Sequence, residues 1–337
     1  MPENVMDEIV SELRHSAPGF FPGHNELRNV RVVGHTPKSD HYIYDIVIDF
    51  ADGSERAYAK VYRTKSTSTV KGLAAAENAN LEKVQELVHK GKLKGVPRPL
   101  GDFSRLNAVV AEKLSGIPLQ SIIMKAALLP GYADHGLLDQ TASNAGEWLR
   151  SFHKATSETS TTFDNDKLVK DLEKLCASCK SEGLEEASVR TIMEGAKSIL
   201  SHNKKPLPTS AVLNDFTPLN ISLGESGVGF CDFARMSTGG SSLLDVAQFL
   251  AAVEALEKYP FCNRMITAEV QERFVTAYGA SAAEQQLLRV LKMKALLSMF
   301  AQGRTVKESA VRKKVMWANV MKKFIQQAAD RSMSPAA

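Results

Sequence analysis

The stretch from Ala211 to Arg235 constrains the chain most. It reads A-V-L-N-D-F-T-P-L-N-I-S-L-G-E-S-G-V-G-F-C-D-F-A-R. Two apolar runs flank short turns, and each run delivers an acidic or amide side chain to the same edge. Val212 and Leu213 lead into Asp215, and Asn220 follows five residues later. Ile221 to Leu223 predicts a short strand, Gly224 to Gly227 a turn, and Val228 to Cys231 the partner strand, closed by Asp232. An Asp, an amide five residues on and a second Asp after a hairpin can converge on one magnesium–phosphate group. In phosphoryl transfer, such positioning and charge neutralisation supply most of the catalysis.

These motifs resemble the aminoglycoside phosphotransferase family, the small-molecule branch of the protein-kinase-like fold. The family carries H-G-D-x-x-x-x-N, a hairpin, a D-[FW] metal motif and a later D-[LV]-A helix start. Here those places hold Leu213-Asn214-Asp215, Asn220, Asp232-Phe233 and Asp245-Val246-Ala247, so Leu213 and Asn214 depart from the family's His-Gly. The resemblance implies an α+β, two-lobed protein-kinase-like fold. A small antiparallel sheet with one helix forms the N-lobe, and a larger, mostly helical C-lobe follows. It implies ATP and Mg²⁺ as cofactors, with Asp215 orienting the acceptor's proton and Asn220 and Asp232 holding metal.

Composition limits the alternatives. At 337 residues the chain can bury two cores, and 44% hydrophobic with 24% charged residues is ordinary for a globular protein. A net charge of +4 is too small to imply nucleic-acid binding. No apolar run approaches the roughly 20 residues that span a bilayer, and Glu3, Asp7 and Glu8 break any signal-peptide pattern. Four cysteines do not make a disulfide framework, so a reducing cytoplasm is the expected setting.

From the start, residues 5–14 predict an amphipathic helix ended by Pro18 and Pro22. Val30 to Val33 predicts a strand, Gly34 to Asp40 a polar turn, and His41 to Phe50 a second strand. Asp52-Gly53 is a hairpin signal, and Arg56 to Tyr62 returns as the third strand. The turn, with Gly34 and Ser39, can offer backbone N–H groups to a nucleotide's phosphates. Lys60, in A-Y-A-K-V-Y, alternates as an interior lysine. Alone it reads as a strand-edge residue, but with the downstream motifs it becomes the candidate cation for the α- and β-phosphates. Residues 69–90 predict a long helix, on which Glu77 is the candidate partner of Lys60 and Glu82 the alternative.

Val96-Pro97-Arg98-Pro99-Leu100 resembles the family's entry to a fourth strand, and Glu112-Lys113-Leu114-Ser115-Gly116-Ile117-Pro118-Leu119 its hinge. The resemblance implies that the backbone of Glu112, Lys113 and Leu114 meets an adenine edge, and it divides the chain into residues 1–114 and 115–337. Gly136 to Lys154 predicts a helix ending in His153, read as support for the catalytic loop. Cys176-Ala-Ser-Cys179 has no second ligand pair nearby and reads as two half-buried thiols on a helix. Asp245 reads as a cap or loop anchor. Residues 245–326 predict further helices, with a frayed tail from Arg331.

The expected activity is transfer of the ATP γ-phosphoryl group to a hydroxyl of a small-molecule acceptor. The alternatives are a protein kinase and a non-catalytic nucleotide-binding scaffold. Thr217 stands where protein kinases carry Lys, and no A-P-E segment follows Asp232. Lys292, Lys294, Arg304, Lys307, Arg312, Lys313, Lys314, Lys322 and Lys323 make the C-terminal region basic. After Arg304 only Glu308 and Asp330 oppose them. Such a surface repels polycations, so a neutral or anionic acceptor is expected rather than an aminoglycoside.

Overall fold

The computed structural model describes residues 2–38, 40–63, 72–129, 131, 134–158, 161–202, 206–225, 227–303 and 311–333. It includes their side chains except at 2–4, 161–162, 303 and 311–318. The chain divides into two compact units, residues 1–116 with 222–236 and residues 117–221 with 237–337. The stretch carrying Asp232 therefore belongs with the first unit, although in sequence it lies among the helices of the second. Among the described residues no helix is long and apolar enough to cross a membrane.

The first unit opens with helix α1 (Pro2–Phe20), followed by strands β1 (Leu27–Pro37), β2 (His41–Phe50) and β3 (Ser54–Tyr62). Helix α2 (Leu73–His89) and strand β4 (Ala108–Glu112) complete an antiparallel sheet of order β1-β2-β3-β4. α1 runs through Pro18 rather than ending there. Its apolar stripe of Met6, Ile9, Leu13 and Ala17, continued by Phe21, lies in one core with Val30, Ile46, Ile48 and Phe50. Burial of a complete stripe outweighs the one hydrogen bond that a proline removes.

The expected turn at Gly34 to Asp40 is also shorter in the structure. Gly34 to Pro37 pair with Asp45 to Tyr42, so they extend β1, and a register shift falls between Val32 and Gly34. The polarity of this segment marks an exposed edge strand, where polar residues and a terminal proline are tolerated.

Strands Ile221–Gly224 and Gly227–Phe230 form the hairpin expected before Asp232. It packs by backbone approach. Gly95 has φ +68°, and a Cβ there would stand 2.2 Å from the Val228 carbonyl oxygen. The Gly95 carbonyl in turn accepts the Phe230 N–H at 2.9 Å.

The second unit is helical. It contains α3 (Leu119–Leu128), α4 (His135–Ala155), α5 (Asn165–Ser181), α6 (Glu186–Ser201), α7 (Leu243–Glu254), α8 (Arg264–Tyr278), α9 (Ala282–Gly303) and α10 (Val311–Met333). Short side chains start several of them. Asp134 accepts the Leu137 N–H, Asp164 that of Lys167 and Asn263 that of Met265. Strands Thr209–Val212 and Ser237–Ser241 pair antiparallel, with Ser237 opposite Val212 and Ser241 opposite Thr209. In this unit Phe216, Phe249 and Phe274 are fully buried, with the Phe249 and Phe274 ring centroids 3.8 Å apart.

Arg331, expected in a frayed tail, is helical. It places Nη1 2.9 Å from Glu257 and Nη2 3.3 Å from Glu254, both nearly buried carboxylates. The charge that sequence polarity assigns to solvent instead ties the end of α10 to these two carboxylates.

Replacing Gly95 by alanine forces a left-handed backbone and a clash with main chain that cannot rotate away. Gly95→Ala is expected to destabilise the protein by about 2 kcal/mol or more. Gly19→Ala, with nothing within 4 Å of the new Cβ, should be neutral or slightly stabilising. Thermal melts of the two variants beside the parent check this.

Candidate active site

In the first unit, β3 turns Lys60 inward, opposite Ile43 on β2 and Val109 on β4. Its ammonium lies 3.2 Å from Glu77 Oε1 and 3.1 Å from Asp232 Oδ1. Glu77 is 1% exposed, at i and i+4 with buried Leu81 on α2, whereas Glu82 one residue on is exposed. The structure thus brings Lys60 to Glu77, not to Glu82. Burial alone would push the Lys60 pKa down, but Glu77 and then Asp232 outweigh it. The value lies well above the ordinary lysine range, so the ammonium stays charged.

Sequence reading missed Tyr62, whose hydroxyl donates to Glu77 Oε2 at 2.6 Å. Its position two residues beyond Lys60, on the same face of a strand, was the available signal. It also missed Asn80, whose amide donates to the carbonyls of Phe233 and Met236 at 2.9 and 3.2 Å and so fixes the segment after Asp232. Asp232 accepts from Lys60 and from the Ala234 N–H, both at Oδ1. Among the described residues nothing donates to Oδ2. A carboxylate oxygen so placed suits a hard cation.

At the end of β4 the N–H groups of Glu112 and Lys113 are donated to the carbonyls of Arg98 and Arg56, at 2.8 and 2.9 Å. Lys113 also pairs with Asp45. Of the three hinge candidates, Leu114 alone keeps an N–H without a hydrogen bond among the described residues. Ser39 lies outside the described residues. Beside it the turn is tied down, because Arg63 donates to the Lys38 carbonyl at 2.8 Å and His41 Nδ1 lies 2.8 Å from Asp40 Oδ1. The hydrogen bond from His41 holds the Asp40 carboxyl down at about 2.

In the second unit, strand Thr209–Val212 runs directly into Leu213-Asn214-Asp215. Asp245, at the start of α7, is fully buried and accepts the Leu213 and Asn214 N–H groups, each at 2.8 Å. His153 Nε2 lies 3.0 Å from the same carboxylate, and its Nδ1 lies 3.0 Å from the Tyr278 hydroxyl. His153 and Asp245 therefore position the loop. Gln248, one turn along α7 from Asp245, donates to the Asn214 carbonyl at 2.7 Å. The Asn220 amide nitrogen donates to the Asp215 carbonyl at 3.0 Å, so the end that a hard cation takes is the oxygen.

Both departures from the family's His-Gly have a physical account. Leu213 is fully buried, as an apolar residue at a packing position should be. Asn214 has φ +59°, in the left-handed region that asparagine enters most readily after glycine. Cys176 and Cys179 are buried on α5, and burial raises their thiols to about 11 and about 12. Among the described residues no three His, Cys, Asp or Glu side chains gather into a metal site.

No protein-family model matches the chain, and no curated protein matches it in sequence. Among solved structures it is similar to a choline kinase from Cryptosporidium parvum Iowa II, with 13% identity and TM-score 0.56 over 97% of this chain and 96% of that one. A glucosamine kinase in complex with glucosamine, ADP and inorganic phosphate matches with 16% identity and TM-score 0.55, over 90% and 94%. A spectinomycin phosphotransferase in complex with ADP and spectinomycin matches with 10% identity and TM-score 0.53, over 94% and 98%. At such identities the likeness is one of fold. The chain has the protein-kinase-like fold of these small-molecule kinases.

The Asp40 carboxyl titrates lower folded than unfolded, where it sits near 4. Its ionised form therefore adds stability above that unfolded value, and this is lost as pH falls toward 2. Asp40→Asn should melt about 1 to 3 °C below the parent near neutral pH. The gap should shrink as the melts are repeated at progressively more acidic pH, and a gap constant with pH would exclude this assignment.

Proposed function

We propose that the chain transfers the γ-phosphoryl group of ATP to a hydroxyl of a small molecule, with Mg²⁺ as the metal. The observation that supports it most is the buried Lys60 ammonium held by Glu77 and Asp232. A protein that used this lysine only to close its sheet would have no need of two carboxylates from separate segments, one of them partly open to solvent.

In this reading Lys60, steadied by Glu77 and Tyr62, takes the α/β side of the nucleotide, and the Leu114 N–H with the backbone of Glu112 and Lys113 meets the adenine edge. The turn that follows Gly34 and includes Ser39 covers the phosphates. In the second unit, Asp215 orients and accepts the acceptor's proton. Asp232 Oδ2 and the Asn220 amide oxygen are hard donors that fit Mg²⁺. The metal, when bound, would offset charge on the β- and γ-phosphates. The fold neighbours support ATP as donor, since two of them were solved with ADP.

ADP release from ATP–Mg²⁺ in the presence of hydroxyl compounds tests this. Asp215→Ala is expected to lower the rate roughly 100- to 1,000-fold with little change in ATP affinity. Lys60→Ala should lower it on the order of 100-fold and weaken ATP binding less. Asp232→Ala should abolish the Mg²⁺-dependent rate and lower the thermal midpoint while the chain still folds, since Glu77 still holds Lys60. Near-parental turnover in Asp232→Ala would remove the metal assignment. Nucleotide binding without turnover in the parent would point to a scaffold.

A further inference from the structure

The charge of the C-terminal region does not single out an acceptor. Lys292 pairs with Glu254, Lys294 Nζ lies 3.0 Å from Asp171 Oδ2, and Lys322 Nζ lies 3.3 Å from Glu185 Oε1. Three of the cations behind the expectation of a neutral or anionic acceptor are therefore compensated. Arg304 and Lys307 lie outside the described residues, as do the side chains of Arg312, Lys313 and Lys314. The backbone around Asp215 is fixed far more closely.

A peptide group is planar, so pinning its carbonyl or its N–H sets the whole plane. Asp245 takes the N–H groups of Leu213 and Asn214, which fixes the two peptides that precede Asn214. The next peptide joins Asn214 to Asp215, and its carbonyl accepts from Gln248 Nε2 at 2.7 Å. On the far side, the Asp215 carbonyl accepts the Thr217 N–H at 2.9 Å and the Asn220 side-chain amide at 3.0 Å. Both planes that meet at the Asp215 Cα are held, and together they set the direction in which its side chain starts. The Asn214 side chain adds a tie to Ser237 Oγ at 3.0 Å, which a glycine there would lack.

The composition of α7 points to the same role. From Leu243 to Val253 its only polar side chains are Asp245 and Gln248, three residues apart on one face, and both serve this loop. The oxygen end of the Gln248 amide gains nothing from the site. Oε1 is buried and has no hydrogen-bond partner among the described residues. A buried acceptor without a donor is a cost that leucine would avoid, so the donor end is the reason for an amide here.

From this we infer that Gln248 is a positioning residue for the proposed transfer, setting the angle at which Asp215 meets the acceptor's hydroxyl. The inference rests on the kinase reading for the transfer, and on the hydrogen bonds alone for the hold on the loop.

The test uses the full chain with two substitutions. Gln248→Leu removes the donor and the unpaired oxygen together, whereas Gln248→Glu keeps the shape and, when ionised, cannot donate. ADP release from ATP–Mg²⁺, with water as the acceptor, should fall about 10- to 100-fold in kcat in both, with KM for ATP within about twofold of the parent. Amide hydrogen exchange over residues 213–220 should speed up about tenfold in both, with α5 and α6 unchanged. The thermal midpoint of Gln248→Leu should stay within about 3 °C of the parent, a split between rate and stability that a packing role would not give. Parental kcat in either variant, a loss of rate that follows the thermal midpoint, or unchanged loop exchange each overturns the inference. No ADP release from the parent sinks the kinase reading. Loop exchange then decides the hold alone, faster exchange upholding it and unchanged exchange ending it.

Discussion

A single carboxylate carries much of the second unit. Asp245 has no solvent contact, and it is stable there because three donors meet it, two backbone N–H groups and an imidazole. A buried ion without such partners would cost several kcal/mol. Its satisfaction fixes Leu213 and Asn214, and through them the direction in which Asp215 leaves the strand. Around this centre the aromatic layer of Trp148, Phe152, Phe216, Phe249 and Phe274 packs with stacked and tilted rings. The polar hub and its apolar surround depend on each other. The rings exclude water from the carboxylate, and the carboxylate orders the loop that carries Phe216.

The first unit repeats that logic with the opposite sign. There the buried ion is a cation, Lys60, and carboxylates come to it from α2 and from the hairpin's end. The glycines at 95 and 229 let the hairpin's main chain approach closely enough to bring Asp232 within reach, since any side chain at either would meet backbone below 3 Å. Small residues far from the chemistry thus set where a charged one stands.

Much of this was legible beforehand because it is local. Alternation and the Asp52-Gly53 turn place β2 at His41 to Phe50, and the same alternation turns Lys60 inward. Turn and strand signals along one chain segment put Asp215 after one strand and Asp232 after the hairpin, as the structure has them. What eluded the sequence depends on partners distant in the chain. A proline looked like a helix end until a core required one more turn of α1. Gly34 to Pro37 looked like a turn because an exposed edge strand and a turn share a polar composition. The C-terminal lysines looked unopposed because Asp171, Glu185 and Glu254 lie far upstream. Charge compensation across more than a hundred residues, as between Asp171 and Lys294, leaves no periodicity to read.

The tether at Arg331 has a consequence for biosynthesis. Ribosomes deliver the chain from its N-terminus, and segments fold as their partners emerge. The first unit lacks Asp232 and its hairpin until residue 236 has been made, by which point α3 to α6 of the second unit have already been made. Glu257 and Glu254 meet Arg264 and Lys292 first, and the Arg331 guanidinium, more than seventy residues downstream, joins them last. The two units are interleaved in time as well as in sequence, so neither can finish alone while the nascent chain is short.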